Sequence, residues 1–210
     1  MKLKRKIYKT LLAWKKENGR TALLIEGARR VGKSTIVEEF AKNEYKSYIL
    51  IDFSIASDEI KSLFKDYASN LNDFFFFLTA ITGTSLFERE SLIIFDEVQL
   101  FPLARQLIKH LVKDNRYDYI ETGSLLSIKR NVEDILIPSE ERSVKMHPLD
   151  FEEFCWALER DDIIPILQNH FDRLEPLKLL HSTIMKLFRQ YLLIGGMPQA
   201  VLNLFILLTI

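Results

Sequence analysis

A single cysteine, Cys155, excludes an intrachain disulfide from this chain of 210 residues. Four histidines, His110, His147, His170 and His181, share no metal-ligand spacing with it. A reducing, cytoplasmic setting is therefore expected. No sign of charge predominates: 29 Lys and Arg face 29 Asp and Glu, which removes any whole-molecule electrostatic argument for a nucleic-acid or membrane partner. Long apolar runs are missing as well. Phe74–Leu78 and Leu204–Leu208 fall well short of the roughly 20 residues that cross a bilayer, so no membrane partner is expected and both should pack in a protein core. The N-terminus is basic (Lys2, Lys4, Arg5, Lys6, Lys9), but Lys9 and then Lys15 and Lys16 interrupt the apolar run that a secretion signal needs. These cations read either as a solvated helix face or as a contact to DNA.

What is present is apolar and regularly spaced. Hydrophobic residues make up 48% of the chain, enough for a sizeable core. Ile7, Leu11, Leu12 and Trp14 recur among lysines and predict an amphipathic helix over 7–16. Short apolar runs predict strands at Thr21–Glu26, Tyr45–Phe53, Leu92–Phe95, Tyr117–Glu121 and Ser143–Met146. Helical patterns separate them: one with Ile36, Val37, Phe40 and Ala41 on a single face, one over Ile60–Ala68, and one over Asp73–Ile81 with Asn72 or Asp73 as its N-cap. Strands alternating with helices, and apolar on both faces, predict a parallel α/β sheet. Beyond Pro148 the pattern turns to helices alone, at Phe151–Leu158, Ile163–Phe171 and Leu177–Ile194. A boundary near residue 149 is expected, giving segments 1–149 and 150–210.

The chemistry concentrates after the first strand. Gly27-Ala28-Arg29-Arg30-Val31-Gly32-Lys33-Ser34, followed by Thr35, matches G-x-x-x-x-G-K-[ST] between a strand and a helix, the setting in which a glycine-rich loop cradles phosphates. The glycines let backbone N–H groups curl around a β-phosphate, the helix N-terminus adds partial positive charge, and Lys33 reaches the β- and γ-phosphates. Ser34 would place its hydroxyl on Mg²⁺. Arg29 and Arg30 read equally as phosphate contacts or as solvated loop residues.

Leu92–Phe95 delivers Asp96 and Glu97 at the end of an apolar strand, where an α/β sheet places its ligand crevice. Asp96 would hold Mg²⁺ and Glu97 would orient the water that attacks the γ-phosphate. Further on, Thr122 and Ser124 stand as polar groups at a strand end, either sensing that phosphate or capping a turn. Gln99 reads as a water or phosphate contact or as a polar loop residue.

Together with these motifs, the segments GARRVGKST (27–35), IIFDEVQ (93–99), YIETGSLLS (119–127), PSEER (138–142), HPLDFEEF (147–154) and YLLIGGMP (191–198) resemble the AAA+-like ATPases of bacteria and archaea that carry an uncharacterised C-terminal domain. The resemblance implies a P-loop NTPase core with strand order 5-1-4-3-2 followed by a small helical lid. It further implies ATP and Mg²⁺ as ligands, Lys33 and Ser34 as phosphate and metal contacts, Asp96 and Glu97 as the acidic pair, and Thr122–Ser124 as the sensor segment. Arg142 would be a finger or sensor arginine, unless it pairs with Glu140 or Glu141. Relative to that family the chain reads as shortened at its C-terminus. The expected activity is Mg-dependent ATP hydrolysis, with a protein partner or a second copy of the chain. The alternatives are a nucleotide-binding module with little turnover, and a DNA-associated ATPase suggested by the basic N-terminus and Asp-Glu-Val-Gln.

Overall fold

The computed structural model describes residues 3–124 and 140–209. They form two compact units, one running from Tyr8 to Met146 and the other made of the residues up to Ile7 with those from His147 onward.

In the first unit, α1 (Ile7–Lys15), β1 (Ala22–Gly27), α2 (Lys33–Glu44), β2 (Ser47–Asp52), α3 (Asp58–Asp66), α4 (Leu71–Thr82), β3 (Ser91–Asp96), a 3-10 turn (Val98–Leu100), α5 (Pro102–Asp114), β4 (Asp118–Ser124) and β5 (Glu141–Met146) follow in order. The five strands make one sheet, β2-β3-β4-β1-β5, parallel throughout. Read from the other edge this is the expected 5-1-4-3-2. Every residue of β3 and β4 is buried, because helices cover both faces of a parallel sheet. Register aligns the carboxyl ends: Gly27 lies opposite Ser124 and Met146, and Asp52 opposite Asp96.

Several boundaries differ from the sequence expectation, each for a local reason. Strand β4 continues past Glu121 to Ser124, since Thr122–Ser124 pair with Ile25–Gly27. Strand β5 begins at Glu141 rather than Ser143; the Glu141 carboxylate is neutralised by a two-pronged bond from Arg105, at 3.0 and 2.8 Å. The N-cap of α4 is Asn70, whose side chain accepts from the backbone N–H groups of Asn72 and Asp73 at 3.2 and 3.4 Å. The phenylalanine run does not go wholly into the core: Phe74 and Phe75 are buried, whereas Phe76 is 67% exposed. Consecutive helical residues turn about 100° apart, so four in a row cannot share a face. The buried pair joins an aromatic cluster in which Phe64 meets Phe74 edge-on at 5.1 Å and Phe95 at 5.5 Å.

The second unit holds α6 (Phe151–Ala157), α7 (Ile163–Asp172), α8 (Leu180–Ile194) and α9 (Pro198–Thr209). Asp150 caps α6 by accepting from the Glu153 N–H at 2.9 Å. Glu153, three residues into that helix, is buried and receives the Lys6 backbone N–H at 2.6 Å and the Arg5 guanidinium at 3.2 Å. Three of the basic residues offered above as a solvated face or a DNA contact, Lys4, Arg5 and Lys6, are thus paired within the unit. Lys4 meets Asp161 at 2.7 Å, and Lys6 meets Asp150 and Glu152 at 2.5 and 2.6 Å. That pairing groups residues 3–7 with 147–209 rather than with the core segment. The HPLDFEEF and YLLIGGMP segments also meet here: the Leu149 N–H donates to the Gly196 carbonyl at 2.7 Å and the Tyr191 hydroxyl to the Leu149 carbonyl at 3.1 Å. A Cβ at Gly196 would overlap that same Leu149 carbonyl, which accounts for the glycine. At the chain end Leu204 packs against the Leu149 and Phe154 cluster, but Ile206 and Leu207 are 54% and 74% exposed, so the Leu204–Leu208 stretch is not wholly core. Burial pushes the Cys155 thiol up to about 11, leaving it inert. No helix among the described residues is long and apolar enough to cross a membrane.

Glu121, wholly buried on β4, carries a pKa well above the ordinary carboxylate range, chiefly through burial and then through its neighbour Glu141, with Arg105 opposing. Because the folded-state value is raised, this group's contribution to stability is complete below the usual carboxylate pKa and is lost as pH rises through the folded value. Denaturant midpoints from pH 5 to 9 should show Glu121→Gln gaining on the wild type as pH rises. A gap that stays constant would mean that Glu121 is already ionised in the fold.

Candidate functional site

The loop between β1 and α2 is shaped by its backbone. Gly27 ends β1 so close to β5 that a Cβ there would overlap the Met146 carbonyl, and Arg30 and Gly32 both take left-handed φ values, 65° and 93°. The chain curls on itself and enters α2 at Lys33. Gly32 occupies the N-cap and provides no side-chain cap, so the leading N–H groups of this 12-residue helix lack the partner a Ser or Asp would supply. That arrangement favours an anion.

Lys33 is only 5% exposed. Its ammonium donates to the Gly27 and Ala28 carbonyls at 3.2 and 3.0 Å, so the loop wraps its own lysine. Burial lowers the Lys33 pKa, Glu97 and Asp96 oppose that shift, and Arg29 adds to it. An anion beside Lys33 would restore what burial removes. Val31 is buried beneath the loop, whereas Ala28, Arg29, Arg30 and Thr35 are exposed.

The acidic strand end comes directly against this loop. The Ser34 hydroxyl donates to Oδ1 of Asp96 at 2.8 Å, and Asp96 is 6% exposed. From the adjacent strand the Thr122 hydroxyl donates to the same Oδ1 while accepting the Glu97 backbone N–H at 3.3 Å. Thr122 therefore ties both members of the acidic pair to β4. Ser124, buried, lies in register with Gly27. Glu97 is half-buried and left-handed, at φ 53° and ψ 43°, and one of its oxygens accepts from Gln99 Nε2. Sequence reasoning left Gln99 undecided; a spacing of two residues gives no hint that a left-handed Glu97 and a 3-10 turn fold the two side chains together.

Arg142 is not brought to this cluster. It sits opposite Leu23, four residues before the Met146 end of β5, which places it about 13 Å back along the strand. Its guanidinium bonds to Glu17 at 2.6 Å, not to Glu140 or Glu141 as the sequence offered. Residues 125–127 and 138–139 of the matched segments lie outside the described residues.

Among the described residues no group of three or more His, Cys, Asp or Glu side chains could hold a metal. The oxygens at hand are the Ser34 hydroxyl and the Asp96 carboxylate. This hard, sparse set suits Mg²⁺, which usually binds one or two carboxylates and completes its shell with substrate phosphate and water. Replacing Thr122 by Val should lower stability by about 1–3 kcal/mol in denaturant unfolding, since it removes a donor to the buried Asp96 carboxylate and the acceptor of the half-buried Glu97 N–H. Thr122→Ser should retain most of it, and equal losses in the two variants would show that the hydroxyl is not the bond that matters.

No curated protein matches the chain. Among solved structures it resembles C. elegans PCH-2, at 10% identity and a TM-score of 0.43 over 78% of this chain and 47% of that one. It also resembles the Aeropyrum pernix ORC1 protein in complex with DNA, at 11% identity and a TM-score of 0.47 over 77% of this chain and 50% of that one. The chain thus spans half or less of the length of each. Residues 19–155 match the AAA domain family, well over half of the 210 residues, and the chain belongs to that family of AAA+-like P-loop ATPases.

Proposed function

We propose that this chain binds ATP with Mg²⁺ at the Gly27–Thr35 loop and hydrolyses it. The observation that carries the reading is the continuous hydrogen-bonded path from Ser34 through Asp96 and Thr122 to the backbone of Glu97, beside a lysine held inside the loop. The N–H groups of the loop and of the first turn of α2 receive the phosphates, and Lys33 turns from its two carbonyls to the β- and γ-phosphate oxygens. Ser34 and Asp96 would hold Mg²⁺, which supplies charge neutralisation at the phosphate oxygens when bound. Glu97 orients a water and accepts its proton as the water oxygen bonds to the γ-phosphorus and the bond to the ADP oxygen breaks. Thr122, and Ser124 beside Gly27, keep the acidic pair and the loop in mutual register. Arg29 and Arg30, exposed on the same loop, are further cations of the chain beside Lys33.

A second reading, a nucleotide-binding module with little turnover, is favoured by one observation: Arg142 is engaged by Glu17 and supplies no transition-state charge here. Under that reading a second copy or a protein partner would have to bring an arginine, and sizing the protein with and without ATP reports such assembly.

Phosphate release with Mg-ATP is the direct test. Lys33→Ala should slow turnover by about 10²–10³, the usual cost of losing one electrostatic stabiliser. A wild type no faster than Lys33→Ala would refute hydrolysis by this chain. Glu97→Gln should slow turnover comparably while leaving more ATP bound at steady state; unchanged ATP occupancy would favour the binding module.

A further inference from the structure

Gln99 is 5% exposed, within the 3-10 turn Val98–Leu100, and its side-chain amide donates to Oε2 of Glu97. Burying an amide is costly unless it is hydrogen-bonded, so this donor is committed to the carboxylate rather than shared with bulk water. The Glu97 backbone is fixed independently. Its left-handed φ of 53° and the bond from its N–H to Thr122 settle where the Cβ starts. Its side chain still has three torsions on the way to the carboxylate, which the backbone restricts without fixing. The Gln99 amide captures one of the two carboxylate oxygens.

We propose that Gln99 is a positioning residue that sets the orientation of the Glu97 carboxylate. The proposal rests on the hydrolytic reading above for its consequence in turnover, but the contact itself exists without it. The geometry needs an amide on a side chain of this length: methionine fills the same space without a donor, and glutamate places a like charge against Glu97. A hydrogen bond to a charged group is worth enough that its loss should cost roughly tenfold to a hundredfold in kcat. Because the Gln99 amide acts on the Glu97 carboxylate, the loss should fall on kcat, and KM for ATP and ATP affinity should stay within about twofold.

The test is a double-mutant cycle on the full chain, with kcat, KM and ATP affinity measured for Gln99→Met, Glu97→Gln and the pair. The expected result is a fall in kcat for Gln99→Met with ATP affinity kept, and no further fall when it is added to Glu97→Gln. An unchanged kcat for Gln99→Met overturns the proposal. So does an equal loss in the Glu97→Gln background, which marks general damage to the turn. A Gln99→Met chain that fails to fold loses ATP binding as well, and Gln99→Glu then takes its place in the cycle. If the wild type turns over no ATP, the hydrolytic reading fails by itself, and the contact is judged by the side-chain amide resonances of Gln99 in ¹⁵N NMR. A clear displacement of those resonances in Glu97→Ala supports the positioning contact, and unmoved resonances overturn it.

Discussion

One carboxylate oxygen holds the candidate site together. Oδ1 of Asp96 accepts the hydroxyls of Ser34 and Thr122, and through them the end of β3 is tied to the first turn of α2 on one side and to β4 on the other. A buried carboxylate is expensive unless it is bonded, so Asp96 imposes its partners as much as it receives them. Thr122 can serve only because β4 runs on to Ser124, and Ser34 can serve only because the loop turns tightly enough to start α2 beside β3. The curl of that loop depends in turn on a Gly27 with no Cβ against Met146. Fold and site are thus set by the same few contacts.

Much of this was legible in the residues. Gly27, Gly32, Lys33 and Ser34 stand at fixed spacing between a strand and a helix, and such a string has few other uses. Asp96 and Glu97 close an apolar run that reads as a buried strand; the number of strands follows from the alternation of patterns, whereas their order in the sheet came from the family resemblance. The strand and helix ends were less legible, because the residues that set them act through space. Glu141 joins a strand because Arg105 neutralises it, and Asn70 caps α4 from two to three residues ahead of the residues the sequence suggested.

What the sequence could not give was the pairing of charges and of polar side chains far apart in the chain. Arg142 has two acidic neighbours beside it, yet its partner is Glu17, while Glu141 belongs to Arg105. The basic residues at the N-terminus look available to an anionic polymer, yet Lys4, Arg5 and Lys6 are met by Asp161, Glu153, Asp150 and Glu152. In each case composition gives the charges and only the fold gives the partners. Apolar residues misled differently: a helix buries one stripe, so Phe76 remains in solvent beside the buried Phe75, and Ile206 and Leu207 are exposed as well.

The central claim is that the loop and the acidic strand end form one site for ATP with Mg²⁺, joined at Asp96. The most direct measurement is equilibrium ATP binding with and without Mg²⁺, for the wild type and for Asp96→Ala. The account predicts that Mg²⁺ tightens ATP binding by the wild type and that most of this gain disappears in Asp96→Ala. An equal gain from Mg²⁺ in both proteins would contradict it.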